Sequence, residues 1–338
     1  MEIEALKGKL NQFPKKNLLW GKPPLKKAWN LSTEWGVDVY IKRDDLTGLA
    51  LGGNKSRKLE YLLGDALHHN CDTIITAGGV NSNHALQTAV AARKAGMHPV
   101  LALWGAREYG GNLLLDRMMT EDIHFIEVSS SQELHYPMRS LAEQLKAEGK
   151  KPYISPVGGS SPVGVLGYVE AAVELLEEQK KAGEKFDYVV FPSSSGGTAA
   201  GLLLGLNKLS SETKLLGIGV GDPWEEIVED VANLVSGASE ILGMENEVPR
   251  ESIANTIVDG YGFGGYGSLE REVVEIIKYA ASKEGFFLDP VYTGKCFWGL
   301  FDLVRNGNIP TGSKVLFLHT GGLGGLFQYQ DFLANNLW

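Results

Sequence analysis

Lys55 occupies a position that suits covalent chemistry. It follows Gly52-Gly53-Asn54, and leucines and alanines then recur at helical spacing over 59–67, which predicts a helix that begins at about Lys55. Asn54 is expected to cap this helix with its side-chain oxygen. A cation in the first turn lies at the positive end of the helix dipole. The pKa of Lys55 should therefore fall, and its neutral amine should become available as a nucleophile.

A surface lysine at the start of a helix is the simplest interpretation of this stretch. A phosphate-binding P-loop over residues 48–56 is the second, but that motif requires glycine directly before the lysine, where Asn54 stands. The third is a lysine that binds a pyridoxal cofactor as a Schiff base. Lys55 alone does not decide among them, because the decision depends on the residues that the fold brings to it.

Composition limits the class of protein. The 338 residues carry a formal net charge of −9, which argues against a nucleic-acid partner because such proteins present basic surfaces. Hydrophobic residues make up 43% of the chain, enough for a large folded core. The cysteines are Cys71 and Cys296, and no Cys/His spacing typical of zinc occurs, so no metal is expected. No apolar stretch suits a signal peptide or a membrane span, which favours a cytoplasmic protein without a membrane partner.

Short apolar strands alternate with helices along most of the chain. The first series has strands at 73–77, 99–103 and 123–128 and helices at 83–95 and 111–119. After an irregular segment at 152–162, the second has helices at 163–182, 199–208, 223–236 and 269–284 and strands at 188–191, 215–220 and 315–318. This alternation is typical of an α/β protein with wound parallel sheets. We expect two lobes with a cleft between them: a smaller α/β domain at 51–161 and a large domain that combines 1–50 with 162–338.

Carboxylates precede the lysine helix. Residues 37–43 alternate like a half-buried strand, and Asp44 and Asp45 follow in a loop. They could be catalytic, but we expect them to be loop or cap residues, or ion-pair partners of Lys42 and Arg43.

Ligands of parallel sheets bind beyond the carboxyl ends of the strands, so the loops at those ends carry the candidate sites. Residues 193–198 (Ser-Ser-Ser-Gly-Gly-Thr) join a strand to a helix. Small residues that expose backbone N–H groups at a helix N-terminus suit a phosphate, although a plain tight turn has the same composition.

The segment Asn81-Ser82-Asn83-His84 follows another strand. Ser82 or Asn83 could cap the next helix, or Ser82 and His84 could act as nucleophile and base; no G-x-S-x-G motif supports a serine hydrolase. Thr320 follows the final strand, and Tyr266 and Tyr292 lie in loops, where tyrosines either pack or react.

Together these stretches resemble the D-cysteine desulfhydrase and 1-aminocyclopropane-1-carboxylate deaminase group of pyridoxal phosphate enzymes. The matching segments are Ile41 to Asp45, Gly53 to Glu60, Gly79 to His84, Pro156 to Ser160, Ser195 to Thr198 and Asp289 to Lys295. They span nearly the whole chain in the expected order. The resemblance implies the fold of the tryptophan synthase β subunit, which is fold type II of these enzymes, with a cofactor cleft between two lobes.

The resemblance also implies a role for each candidate residue. Pyridoxal 5'-phosphate would be held by Lys55 as a Schiff base, with Lys58, Ser195, Gly196, Gly197 and Thr198 at its phosphate, Asn83 at its ring hydroxyl and Thr320 at its ring nitrogen. A small amino-acid substrate would meet Ser82, Asn83, His84 and Thr293. Catalysis would involve Lys55, Ser82, Tyr266 and Tyr292. The family is expected to form homodimers.

Particular positions favour one reaction within the group. Members that open the cyclopropane ring carry Glu and Leu where this chain has Thr293 and Thr320, so the resemblance favours β-elimination of D-cysteine to pyruvate, ammonia and hydrogen sulfide. Leu86 stands where the family usually has Arg, and residues 267–269 lack the usual proline. L-Cysteate and 1-aminocyclopropane-1-carboxylate therefore remain alternative substrates. A non-catalytic pyridoxal-binding protein is the alternative of another class; a kinase would need an acidic metal motif that the sequence lacks.

Overall fold

The computed structural model describes residues 1–107, 110–128 and 131–337. Its strands are β1 (Leu25–Lys27), β2 (Asp38–Lys42), β3 (Thr73–Gly79), β4 (His98–Trp104), β5 (Ile123–Phe125), β6 (Pro152–Ile154), β7 (Tyr188–Ser193), β8 (Lys214–Gly219), β9 (Ile257–Val258) and β10 (Lys314–Leu318).

The α-helices of the described residues alternate with these strands. They are α1 (Ile3–Leu10), α2 (Trp29–Trp35), α3 (Lys55–His68), α4 (Asn83–Lys94), α5 (Gly111–Met119), α6 (His135–Ala147), α7 (Pro162–Ala182), α8 (Gly197–Lys208), α9 (Trp224–Ile241), α10 (Arg250–Thr256), α11 (Arg271–Glu284), α12 (Thr293–Arg305), α13 (Leu323–Gln328) and α14 (Gln330–Asn336). No helix among the described residues combines the length and apolarity that crossing a membrane requires.

The described strands form two sheets. One has six strands in the order β1-β2-β10-β7-β8-β9, and the other has four in the order β5-β4-β3-β6. Every pairing is parallel except that of β1 with β2. The predicted α/β architecture with wound parallel sheets is thereby confirmed. The loops after β3, β7 and β10 each lead into a helix, which brings the candidate segments to the carboxyl ends of the strands.

Both faces of the large sheet are buried. Side chains alternate across a strand, so Val189 and Phe191 of β7 join one apolar cluster while Val190 joins the cluster on the opposite face. In the small sheet Ile74 and Ile75 of β3 divide in the same way. Helices cover both faces, as all-parallel sheets require.

A buried ion cluster fixes the first turn of α3. The guanidinium of Arg57 donates to both carboxylate oxygens of Asp44 at 2.8 and 2.9 Å, and to Glu174 of α7 at 3.1 Å. Lys42 lies 2.6 Å from Glu174, and the Tyr168 hydroxyl donates to Asp44 at 2.6 Å. Burial alone would raise the pKa of Glu174, but Arg57 and Lys42 outweigh it and lower that pKa to about 2. The cluster ties the end of β2 to α3 and α7.

This cluster differs from the predicted pairing. Asp45 pairs with Arg43, as expected, but the main partner of Asp44 is Arg57. Asp44 is fully buried, so its charge requires a buried cation.

Other segments also differ from the sequence prediction. The irregular stretch at 152–162 contains β6 and a single turn of 3-10 helix at Val157–Gly159. Helix α12 was not predicted. It begins at Thr293 because the buried carboxylate of Asp289 accepts hydrogen bonds from the backbone N–H groups of Val291, Tyr292 and Thr293, each at 2.8 Å. A sequence pattern alone does not reveal these bonds.

Asp44→Asn should lower the free energy of unfolding by about 3 kcal/mol, because it leaves a buried guanidinium with one carboxylate partner fewer. Urea unfolding followed by circular dichroism measures the change. As a control, Glu143→Gln removes the exposed pair with Lys146 and should cost no more than about 0.5 kcal/mol. Equal losses in the two variants would contradict the role given to the cluster.

Candidate active site

A cavity of about 920 Å³ opens where loops from both sheets meet. All the predicted site residues except Thr293 line this cavity. These are Lys55, Lys58, Ser82, Asn83, His84, Ser195, Gly196, Gly197, Thr198, Tyr266, Tyr292 and Thr320. Residues more than two hundred positions apart in the chain are thus brought to one place.

Lys55 is the first residue of α3, as predicted. Burial lowers the pKa of Lys55 from 10.5 to about 8, and no described residue accepts a hydrogen bond from its amine. The predicted direction of the shift is confirmed, but burial rather than the helix dipole is its cause. The predicted cap by Asn54 is wrong: its amide donates to the Thr198 hydroxyl at 3.1 Å, which leaves the helix N–H groups unbonded by that side chain.

Lys58 lies one helical turn further on and is buried. Its ammonium donates to the Gly158 carbonyl at 3.0 Å and to Ser160 Oγ at 3.3 Å. In the described part of the chain it has no carboxylate within 4 Å. Burial and the nearby Lys55 therefore hold the pKa of Lys58 well below its usual range. A bound anion would restore the charged form, since an opposite charge favours it.

The loop before α8 supplies the complementary half of an anion site. Ser160 Oγ donates to Ser195 Oγ at 2.9 Å and accepts from the Gly197 N–H at 3.3 Å. A Cβ on Gly197 would lie 2.6 Å from Lys58 Nζ, so a larger residue would displace the ammonium. The N-terminus of α8 adds the positive end of a helix dipole. The donors in this loop suit a phosphate group.

The turn after β3 combines a cap with two cavity groups. Ser82 Oγ accepts from the Ala85 N–H at 3.2 Å, so Ser82 caps α4. Asn83 Oδ1 accepts from the amide of Asn112 at 2.8 Å, which leaves the Asn83 NH₂ group to donate elsewhere. His84 Nε2 contacts Ser155 Oγ at 3.0 Å. Burial, with Lys55 and Lys58 nearby, holds the pKa of His84 well below its usual range, so the ring is neutral.

Two tyrosines from separate loops meet in the cavity. Their hydroxyl oxygens, of Tyr266 and Tyr292, lie 2.6 Å apart. Burial raises the pKa of both phenols, so both are protonated at neutral pH. The Tyr266 ring also packs on Trp104 with 5.8 Å between ring centroids.

The two threonines lie in different environments. Thr320 lines the cavity, and no described residue hydrogen-bonds its hydroxyl. Thr293 is fully buried outside the cavity, and its hydroxyl donates to Asp289 at 2.7 Å. Thr293 therefore does not line the cavity with the other predicted residues.

Sequence reasoning missed three polar residues of this site. Ser160 belongs to a recognised segment, but no role had been assigned to it. Asn112 is the second residue of α5, and nothing in its sequence context marks it, although its amide also donates to the Asn81 carbonyl at 2.9 Å. Asp222 lines the cavity and accepts from Ser194. A search for polar residues that follow parallel strands would have found Asp222.

This arrangement fits pyridoxal phosphate. The uncompensated ammonium of Lys58 and the N-terminus of α8 would hold its phosphate. A lysine amine of lowered pKa would bond to its aldehyde, and Asn83 and Thr320 offer free groups for its ring. The fit rests on two buried amines, which in the described residues lack acidic partners.

Comparison with known proteins agrees with this geometry. The family model described as "Pyridoxal-phosphate dependent enzyme" matches residues 16–321. The chain belongs to this family of pyridoxal phosphate dependent enzymes, and its fold is type II among them. Within the family it falls in the group whose members are named 1-aminocyclopropane-1-carboxylate deaminase and D-cysteine desulfhydrase.

Two relatives and one solved structure represent that group. A protein of Pyrococcus abyssi, provisionally named 1-aminocyclopropane-1-carboxylate deaminase, is 49% identical over 98% of this chain and 97% of its own. The D-cysteine desulfhydrase of Serratia proteamaculans is 39% identical over 96% and 98%. A crystal structure of an ACC deaminase homologue superposes with a TM-score of 0.92 at 46% identity, covering 99% of this chain and all of that one.

The rate at which the cofactor attaches should depend on pH in a way that reveals the lowered pKa of Lys55. When apoprotein is mixed with pyridoxal phosphate, the rate at which the near-visible band appears should rise about tenfold per pH unit and level off near pH 8, because the neutral amine attacks. Stopped-flow absorbance between pH 6 and 10 measures this rate. Lys55→Ala is the control and should give no such band. A rate still climbing at pH 10 would show an unperturbed lysine.

Proposed function

We propose that this enzyme eliminates sulfide from D-cysteine, converting D-cysteine and water to pyruvate, ammonia and hydrogen sulfide. The observation that carries the proposal is the environment beside Tyr292. Thr293 directs its hydroxyl to Asp289 and stays outside the cavity, while Thr320 lines it. Members of the family that open the cyclopropane ring have Glu and Leu at these positions. The local chemistry thus favours the desulfhydrase reaction.

Lys55 is proposed as the base. Pyridoxal phosphate, when bound, supplies an electron sink for the pair released at Cα of the substrate. The amine of Lys55 would take the Cα proton of the substrate, and a pKa of about 8 keeps a useful fraction of that amine neutral at physiological pH. Lys58 and the loop before α8 would hold the phosphate of the cofactor.

The first turn of α4 is proposed to bind the carboxylate of the substrate. Its first N–H groups lack partners within the helix, and they lie at the cavity through Asn83 and His84. Ser82 caps this turn and lines the same side. His84 is neutral, so it would donate a hydrogen bond rather than a charge.

The tyrosine pair is proposed to face the departing sulfur. Both hydroxyls are protonated, and one can donate to the leaving thiolate while the other supports it through the 2.6 Å contact. Tyr292→Phe should therefore lower kcat for D-cysteine by about 10²-fold, a typical contribution of a positioned proton donor. Sulfide release measures kcat, and an unchanged near-visible band shows that the cofactor remains bound. Unaltered kcat in this variant would remove the pair from catalysis.

Ring opening of 1-aminocyclopropane-1-carboxylate is the second candidate, favoured by the name of the relative from Pyrococcus abyssi. It would yield 2-oxobutyrate and ammonia. L-Cysteate is a third possible substrate and would yield sulfite. Leu86, whose place in the family pattern suggested that alternative, is buried in α4 and does not line the cavity.

A substrate panel separates these reactions. Purified holoenzyme is incubated with D-cysteine, L-cysteine, L-cysteate or 1-aminocyclopropane-1-carboxylate, and pyruvate, 2-oxobutyrate, sulfide and sulfite are measured. Pyruvate and sulfide from D-cysteine in excess over all other products support the proposal. Turnover of another member of the panel without turnover of D-cysteine would overturn the substrate and keep the enzyme class.

We also propose a cytoplasmic homodimer. Helices α5 and α13 contact each other, since the position of a Cβ on Gly111 lies 2.8 Å from Gln328, and both expose large apolar residues. Those side chains are Leu114, Met118, Leu323 and Phe327, with exposures of 45, 64, 36 and 61%. A second copy of the chain would cover them, as exposed apolar patches commonly mark interfaces.

Light scattering coupled to size exclusion should give twice the chain mass of 36.7 kDa. The double variant Met118→Asp and Phe327→Asp should shift the protein toward monomer, because a charge on each side would have to be desolvated at the interface. Tyr136→Asp, at another exposed apolar residue, is the control and should leave the mass unchanged. A monomeric parent protein would exclude the dimer.

A further inference from the structure

Lys295 is a buried lysine outside the cavity that makes no ion pair with the described residues. Its side chain has no solvent exposure. Its ammonium lies 3.2 Å from the Val220 carbonyl, 2.8 Å from that of Gly262 and 2.9 Å from that of Gly265. Ser268 Oγ completes the set at 3.1 Å. We name these four oxygens the carbonyl cage.

The carbonyl cage stabilises the charge of the Lys295 ammonium by accepting the hydrogen bonds that water would otherwise accept. Burying an ammonium is costly unless all its N–H groups are bonded, and four oxygens serve three of them here. Burial lowers the pKa of Lys295 to about 8, so the ammonium still predominates at neutral pH. Rings of backbone carbonyls also bind small monovalent cations by replacing their hydration shell.

The cage belongs to the segment that carries Tyr266. We name residues 260–268 the tyrosine loop. Gly264, Gly265 and Gly267 have φ angles of 84, 128 and 76°, so the loop follows neither helix nor strand and gains little from regular backbone hydrogen bonds. Its first end is tied by the Tyr261 hydroxyl, which donates to Asp302 at 3.0 Å.

Lys295 joins three parts of the fold at this point. It lies in the first turn of α12, three residues after Tyr292, which directly precedes that helix. Two of its carbonyl partners belong to the tyrosine loop, and the third, Val220, directly follows strand β8. Removing the ammonium would leave three carbonyl dipoles facing one another without a donor, and they would repel.

We propose that Lys295 is a positioning residue that acts as a built-in monovalent cation. It draws the tyrosine loop onto α12 and so holds the hydroxyl of Tyr266 against that of Tyr292. The expected effect of Lys295 on catalysis rests on the proposed function. Its effect on the geometry of the tyrosine loop does not, because that geometry can be measured without turnover.

The test removes the ammonium and then supplies a small cation. Lys295→Ala empties the space beside the carbonyl cage, whereas Lys295→Met fills it with an uncharged chain of similar length. Both holoenzymes are studied in buffer whose cation is tetramethylammonium, then with potassium or ammonium chloride added. The measurements are kcat and KM for D-cysteine, and the rate of chymotrypsin cleavage in the tyrosine loop, located by mass spectrometry.

Lys295→Ala without small cations should lose about 10²-fold in kcat, the cost of a misplaced catalytic group. Its KM should change much less, and chymotrypsin should cut faster at Tyr261, Phe263 and Tyr266. Potassium or ammonium should restore most of both properties in Lys295→Ala but not in Lys295→Met. The parent protein should not respond, and the near-visible band should persist throughout.

Lys42→Ala is the matched control, because it removes another buried lysine whose partners are carboxylates and one carbonyl. It should destabilise the protein with no response to potassium. The proposal would be overturned if Lys295→Ala kept the cleavage rate and the kcat of the parent protein. It would also be overturned if no small cation reversed the loss in either measurement. If the parent protein does not act on D-cysteine, the proposed substrate fails, and the cleavage measurements still decide the role of Lys295.

Discussion

The first turn of α3 carries three basic residues in two different electrostatic environments. Arg57 is neutralised by Asp44 and Glu174 in the buried cluster. Lys55 and Lys58, on another side of the turn, have no acidic partner within the described residues. One side of the turn is thus held rigidly by ion pairs, and the other presents two amines of lowered pKa to the cavity. The affinity for an anionic, aldehyde-bearing cofactor follows from this asymmetry.

The second requirement of the site is close approach of backbone to ligand. Gly197 leaves room for the Lys58 ammonium, and Ser160 links that ammonium to the start of α8. These contacts join α3 to a loop more than one hundred residues away. The phosphate would therefore sit between two helices that belong to different parts of the chain, which couples cofactor binding to the tertiary fold.

The side of the cavity that carries Tyr266 and Tyr292 is built differently. Tyr266 comes from an irregular, glycine-rich loop, whereas Tyr292 starts a helix whose first turn is capped by Asp289. The hydroxyls of Tyr266 and Tyr292 lie 2.6 Å apart although one tyrosine is on an irregular loop and the other is beside a helix. This contact needs a further restraint, and Lys295 occupies the position to provide it. The ion-paired turn of α3 on one side and the two tyrosines on the other together shape the cavity.

Much of this could be predicted from sequence because it is local. Hydrophobic periodicity located seven of the ten described strands and most of the long helices, and the start of α3 at Lys55 followed from the same pattern. The cavity segments after β3, β7 and β10 were predicted because each follows a parallel strand, and the carboxyl ends of such strands share one edge of the sheet. Family motifs then supplied roles that no periodicity contains.

The sequence by itself predicted most of the strands and long helices, the position of Lys55 at the start of α3 and the class of chemistry. Tertiary structure alone decided the pairing of Asp44 with Arg57, the contact of Asn54 with Thr198, the withdrawal of Thr293 from the cavity and the cage around Lys295. The physical reason is that capping and periodicity act over a few residues. Burial, ion pairing and the pKa of a lysine depend on which distant segments close around it.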